Sequence, residues 1–260
     1  MMQDKSLIKS YRHLFGLIGY PLGHSFSKSF FNEKFAREKL NDYYYEAFPL
    51  EQINDFPDLI RAYPNLRGLN VTIPYKELVI PFLDGLNAEA AQVGAVNVIH
   101  ILEGKLTGYN SDIYGLEKDL EDFLGTDRNA VLPALVFGAG GAARAVVHVL
   151  KKWGYPYLTV SRSAQKSDVV FEAVTPALIR EHPLLINATP LGMAPHTLGL
   201  PPIPYEAITP THFLYDLVYN PTETAFMQMG QNMGAKTRNG LGMLYGQAES
   251  AWEIWNTAQV

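Results

Sequence analysis

At 260 residues, 47% of them hydrophobic and 18% charged, the chain has the composition of an ordinary folded protein of one or two domains. Its net charge of −5, with no Lys/Arg cluster, argues against a nucleic-acid partner. The absence of cysteine excludes disulfides, thiolate metal sites, iron–sulfur clusters and a cysteine nucleophile.

The first residues, Met1-Met2-Gln3-Asp4-Lys5, carry an early acid and no apolar run, so no signal peptide is expected. The longest stretch without Asp, Glu, Lys or Arg, residues 182–205, holds six prolines and reads as loop, not as a membrane span. A cytoplasmic protein with no membrane partner is expected.

Strand-like and helix-like segments alternate, which predicts an α/β fold with a mainly parallel sheet. Residues 14–18 form an apolar run that stops at Gly19-Tyr20-Pro21, and a helix is expected over residues 27–39. Residues 43–48 are aromatic-rich and strand-like. Ile53, Phe56, Leu59 and Ile60 have helical spacing, with Pro57 near the start. Residues 68–73 read as a strand ended by Pro74, and residues 95–102 as another, closed by the turn pair Glu103-Gly104.

A helix over residues 113–124 carries Glu117, Lys118, Asp119, Glu121 and Asp122, a charge run expected to face solvent. After a polar stretch over residues 125–129 come a strand over 134–137, a glycine-rich turn and a helix over 142–152. Further strands are expected over 157–160, 184–187 and 213–217, and a closing helix over 241–255. No solenoid-period repeat or low-complexity tract interrupts this order. It predicts an N-terminal α/β domain of residues 1–112 and 239–260, with the closing helix packed back on it. Residues 113–238 are expected to form a Rossmann-type, doubly wound nucleotide-binding domain.

The glycine-rich turn, Gly138-Ala139-Gly140-Gly141-Ala142-Ala143, fits G-x-G-x-x-G/A between a strand and a helix, the context that gives the pattern meaning. Gly138 permits the tight turn, Gly140 admits a pyrophosphate, and Ala143 allows close helix–strand packing, with the helix N–H groups facing the anion. An NAD site places an acid about 20 residues on. Here the next strand ends in Val160-Ser161-Arg162-Ser163, and the first acid is Asp168. An arginine flanked by hydroxyls suits a 2′-phosphate, so NADP is the expected cofactor.

Towards the N-terminus, Ser25 and Ser27 lie on a strand-to-helix turn that can aim hydroxyls and N–H groups at a carboxylate, although Ser27 also suits a plain helix cap. Asn70-Val71-Thr72-Ile73-Pro74-Tyr75-Lys76 puts an amide, a hydroxyl and a lysine at a strand end, where α/β ligands bind. Gly94-Ala95-Val96-Asn97 and Gly108-Tyr109-Asn110-Ser111-Asp112 add an amide and a carboxylate. The seven histidines show no metal-ligand spacing, so no metal is expected.

Together with Asn187-Ala188-Thr189-Pro190-Leu191-Gly192-Met193, Asp216-Leu217-Val218-Tyr219, Asn239-Gly240-Leu241-Gly242-Met243-Leu244 and Gln247, these motifs stand in the order found in shikimate dehydrogenases. The chain resembles that family over nearly its whole length. The resemblance implies reversible reduction of 3-dehydroshikimate to shikimate with NADPH, in a substrate-binding first domain joined to an NADP-binding Rossmann-type domain. It makes Lys76 and Asp112 the catalytic pair and assigns Ser25, Ser27 and Tyr219 to the substrate carboxylate. Thr72, Asn97 and Gln247 would hold the ring hydroxyls. Gly138, Ala139, Gly140, Gly141, Ala142, Ser161, Arg162, Thr189, Leu217 and Gly240 would line the cofactor.

The chain departs from the family's pattern at a few places. Lys28 replaces a usual proline, Val98 and Ser111 replace threonines, and Ser161 and Ser163 replace the Asn and Thr around the arginine. Two other readings stay open: a quinate/shikimate dehydrogenase of broader substrate or cofactor range, and a non-catalytic ligand-sensing regulator. The regulator would be marked by loss of Lys76 or Asp112, and both are present. A methylenetetrahydrofolate dehydrogenase-like enzyme is less suited, because paired serines fit a small acid.

Overall fold

The computed structural model describes residues 5–23 and 26–257. The chain divides into two compact units, Met1–Ser111 with Ala248–Val260, and Asp112–Gln247.

The first unit runs α1 (Lys5–Ser10), β1 (His13–Gly19), α2 (Phe26–Arg37), β2 (Tyr43–Pro49), α3 (Phe56–Ala62), β3 (Leu66–Val71), β4 (Gly85–Leu86), α4 (Ala88–Val93), β5 (Val98–Leu102) and β6 (Lys105–Tyr109). Its sheet has the order β2-β1-β3-β5-β6-β4. β1 is parallel to β2 and β3, and β4 to β6, while β3–β5 and β5–β6 are antiparallel, so this sheet is mixed, with three of its five pairings parallel. Glu103 and Gly104 both take positive φ, 52° and 78°, and this tight turn sends β6 back beside β5.

β1 shows why residues 14–18 read as a continuous apolar run. Leu14 and Ile18 enter one core with Leu66, Leu69 and Ile99, while Phe15 and Leu17 enter another with Phe31, Phe35, Tyr45 and Trp255. A parallel strand covered on both faces has no polar alternation. Trp255 lies over β3 at Gly68, where any Cβ would overlap the indole, and its N–H donates to the Ile99 carbonyl at 3.0 Å. β3 ends at Val71, short of Pro74, because the Thr72 carbonyl turns to accept the Tyr75 N–H at 2.9 Å.

The second unit holds α5 (Ser111–Leu124), β7 (Ala134–Phe137), α6 (Gly141–Trp153), β8 (Tyr157–Ser161), β9 (Val169–Val170), α7 (Pro176–Glu181), β10 (Leu184–Asn187), β11 (Phe213–Asp216), α8 (Ala225–Asn232), β12 (Lys236–Asn239) and the start of α9 (Leu241–Asn256). From Ala248 onward α9 clusters with the first unit. The sheet order is β12-β11-β10-β7-β8-β9 and every pair is parallel. Numbered from β7 and read from β9, that order is 3-2-1-4-5-6, the Rossmann arrangement, with its switch point between β7 and β10.

One expectation holds only in part on α5. Lys118 and Asp122 of its charge run are exposed, but Asp119 is 4% exposed and accepts from the Tyr215 hydroxyl at 2.6 Å, Arg238 Nε at 3.0 Å and the Met243 N–H at 3.0 Å. Glu117 accepts from the Trp153 indole N–H at 3.0 Å and Lys152 at 2.8 Å. Burial raises the Asp119 pKa, against the hydrogen bond from Tyr215 and the Arg238 charge.

Candidate functional site

The glycine-rich turn lies at the switch point of the second sheet. Gly138 has φ +122°, which a side chain would strain, and a Cβ there would come within 2.9 Å of the Ala188 carbonyl on the far side of the switch point. Gly140 caps α6 with extended backbone and no side-chain acceptor, and nothing lies within 4 Å of where its Cβ would be. Gly140, Gly141 and Ala142 are exposed while Ala143 is buried. The first N–H groups of α6 are therefore left for an anion, and the backbone beside them is bare enough to admit a pyrophosphate.

At the end of β8, Ser161 is committed to its own loop. Its hydroxyl bonds the Ser163 carbonyl at 3.1 Å and the Ser167 hydroxyl at 2.9 Å, and accepts the Ser163 N–H at 3.1 Å. The loop so folded leaves Arg162 exposed, with no ion pair among the described residues. Asp168, the nearest acid, is held elsewhere: it accepts the N–H and hydroxyl of Thr159 at 2.8 and 2.7 Å, bonds that lower its pKa. Thr189, Leu217 and Gly240 follow the ends of β10, β11 and β12 on the same edge of the sheet. Together these features fit a dinucleotide that carries a 2′-phosphate.

In the first unit, the Thr72 N–H donates to the Ile18 carbonyl at 2.9 Å, which joins the ends of β1 and β3 at that sheet's own reversal of strand order. Ser27 lies within α2, and its hydroxyl bonds the phenol of Tyr45 instead of capping the helix. Tyr45 in turn donates to Asn70 Oδ1 at 2.7 Å, and Asn70 Nδ2 reaches the Asn97 carbonyl at 3.3 Å. The Asn97 amide holds Ser111, donating to its hydroxyl at 3.1 Å and accepting its N–H at 2.7 Å.

Lys76 is half-buried in the turn after β3, its carbonyl accepting the Val96 N–H at 2.7 Å. Lys28, at the position where the resemblance expects proline, pairs with Glu46 on β2. Ser25 lies outside the described residues. Asp112, Tyr219 and Gln247 belong to the second unit, where Asp112 is in the first turn of α5, Tyr219 is exposed and Gln247 Nε2 donates to the Leu244 carbonyl at 3.1 Å.

Sequence reasoning gives no role to Tyr45, Asn187, Asp216 or Thr224, which knit these strand ends together. Asn187 and Asp216 stand inside quoted motifs. Their type is the only signal, since a polar residue closing an apolar β-strand in the interior needs a partner. Among the described residues no group of three or more His, Asp or Glu is placed to hold a metal, and no helix is long and apolar enough to cross a membrane.

A parallel sheet of this order with a bare glycine turn at its switch point defines a Rossmann-type dinucleotide-binding protein, here with a second α/β unit in the same chain. Comparison with known proteins narrows the class. Residues 17–99 match the family model described as the shikimate dehydrogenase substrate binding domain. A shikimate dehydrogenase (NADP(+)) of Halothermothrix orenii is 39% identical over 263 residues, covering 92% of this chain and 89% of that one. The chain belongs to the shikimate dehydrogenase family.

Solved structures agree. The shikimate 5-dehydrogenase of Thermus thermophilus, in complex with NADP(H) and shikimate, superposes with a TM-score of 0.79 at 32% identity, covering 94% of each chain. The quinate dehydrogenase of Corynebacterium glutamicum, in complex with NAD, gives 0.85 at 25% identity, covering 95% of this chain and 94% of that one.

Proposed function

We propose that this chain catalyses the reversible reduction of 3-dehydroshikimate to shikimate with NADPH. The observation that carries the reading is Arg162, exposed and without an ion pair among the described residues at the end of β8, where an NAD-specific site has an acid. The first N–H groups of α6 hold the pyrophosphate, Arg162 the 2′-phosphate, and Thr189, Leu217 and Gly240 the remainder of the dinucleotide. The bound cofactor supplies the hydride.

The chain's own residues do the rest. Ser25 and Tyr219 bind the substrate carboxylate, joined by Ser27 when its hydroxyl turns its proton from Tyr45 to the substrate, and Thr72, Asn97 and Gln247 bind the ring hydroxyls. Asn97 does so with its amide already oriented by Ser111. Lys76 delivers a proton to the oxygen that becomes the new hydroxyl and, as an ammonium, stabilises the negative charge growing there. Asp112 accepts a hydrogen bond from the substrate and fixes its orientation.

Absorbance at the nicotinamide band tests this directly, with shikimate or quinate as substrate and NADP or NAD as cofactor. Shikimate with NADP is expected to turn over fastest. Turnover confined to quinate, or no turnover with shikimate and NADP, would remove the proposal.

A further inference from the structure

The loops bearing Thr189 and Leu217 share one buried anchor. Asp216 closes β11 with none of its surface exposed, and Asn187 and Thr224 beside it are equally buried. Asp216 Oδ1 accepts Asn187 Nδ2 at 2.9 Å and the Val218 N–H at 3.0 Å, while Oδ2 accepts the Thr224 hydroxyl at 2.6 Å. The three donors come from the end of β10, the loop after β11 and the N-cap of α8. Among the described residues no cation pairs with this carboxylate.

Asn187 passes the constraint on. Its Oδ1 accepts the Thr189 hydroxyl at 2.6 Å and the Thr189 N–H at 3.1 Å, and its backbone carbonyl accepts the Leu217 N–H at 2.9 Å. An ionised carboxylate only accepts, so it turns the Asn187 NH2 toward Asp216 and the amide oxygen toward Thr189, the same sense in which the Leu191 carbonyl accepts from Nδ2 at 3.3 Å. The Thr189 hydroxyl then spends its one proton on Asn187. One lone pair takes the Leu191 N–H at 3.2 Å, and what remains is a single acceptor site.

We propose that Asp216 is a positioning residue of the cofactor site, which through Asn187 sets the Thr189 hydroxyl as a hydrogen-bond acceptor for a donor group of the dinucleotide. The donor is an amide NH2 or a sugar hydroxyl, not a phosphate oxygen. This rests on the NADP reading above. A neutral amide at position 216 would face three donors with an NH2 of its own and remove the shortest bond to the Asn187 NH2, leaving it the Leu191 carbonyl at 3.3 Å.

Direct binding of NADPH, followed by fluorescence, tests the proposal on wild type, Asp216→Asn, Thr189→Val and the double variant. Each single change is expected to weaken NADPH binding about ten-fold, the value of one good hydrogen bond. The double variant should bind no worse than either single one, because both changes remove the same contact. Shikimate binding in the absence of cofactor should stay within about two-fold of wild type, whereas a general loosening of the fold would weaken both ligands. Unchanged NADPH binding in folded Asp216→Asn, or losses that simply add, would overturn the assignment. If Asp216→Asn does not fold, Thr189→Val alone decides, and normal binding by that variant sinks the proposal. Failure of wild type to bind NADPH would instead strike the cofactor reading itself.

Discussion

The hydroxyl of Tyr45 donates to Asn70 Oδ1 across 2.7 Å while bonding the Ser27 hydroxyl, so one buried phenol ties α2 to the end of β3. Its ring is stacked on Phe31 with centroids 4.7 Å apart, which fixes where that hydroxyl can be. Burial raises the Tyr45 pKa well above its ordinary value, so the phenol stays neutral and keeps its proton for Asn70. Tyr45→Phe keeps the ring and strands the Asn70 oxygen. Denaturant unfolding is expected to show a loss of about 1–3 kcal/mol. An unchanged midpoint and slope would mean the bond contributes nothing net.

Lys76→Ala should lower kcat by about 10²–10⁴-fold, the usual effect of removing a general acid–base group, while shikimate binding stays measurable. Lys76 is the one lysine in the polar group at the end of β3, and its backbone is held there by Val96. Steady-state kinetics with calorimetric binding separate the two effects. A near-normal kcat would take Lys76 out of the chemistry.

Arg162→Ala should raise KM for NADP far more than for NAD. The cofactors differ only in the 2′-phosphate, and a charge-assisted contact to it is worth about 1.5–3 kcal/mol, roughly ten- to a hundred-fold in the ratio. Equal weakening of both cofactors would assign Arg162 to the fold or to another part of the ligand.

Burial lifts the Asp216 pKa from 3.8 to about 6, against hydrogen bonds from Thr224, Val218 and Asn187. A carboxyl whose pKa is higher folded than unfolded binds its proton more tightly in the native state. Its contribution to stability is thus greatest below pH 3.8 and declines as pH rises through 6. A rise of that size corresponds to a decline on the order of 3 kcal/mol. The stability difference between wild type and Asp216→Asn should therefore shrink by that order between about pH 4 and about pH 7. A difference constant across the range would show that Asp216 does not titrate there.

The elements legible in the sequence are those whose local pattern matches their final surroundings. The run at residues 14–18 announces a strand covered on both faces, and Gly138 with Gly140 announces a turn that side chains would obstruct. Asp119 cannot be read in this way, because its partners Tyr215 and Arg238 lie about a hundred residues away on β11 and β12. β12, Lys-Thr-Arg-Asn, has no apolar alternation and is a strand only because β11 pairs with it. The type of Ser161 suggests a ligand contact, whereas its hydroxyl is consumed in shaping the loop that displays Arg162.

Trp255 covers the aromatic face built by Phe15, Phe31 and Phe35, and Gly68 makes room for its ring. The strands it covers are complete at Tyr109, so a growing chain finishes that sheet long before its cover is made. At about 5–20 residues per second the interval is roughly seven to thirty seconds, during which the second unit is translated. Until then the nascent sheet shows a greasy face to the ribosome surface and to any chaperone nearby. The first unit, begun before the second, is not completed until α9 is made, and a chain that stopped before Trp255 would have one wall of its core missing.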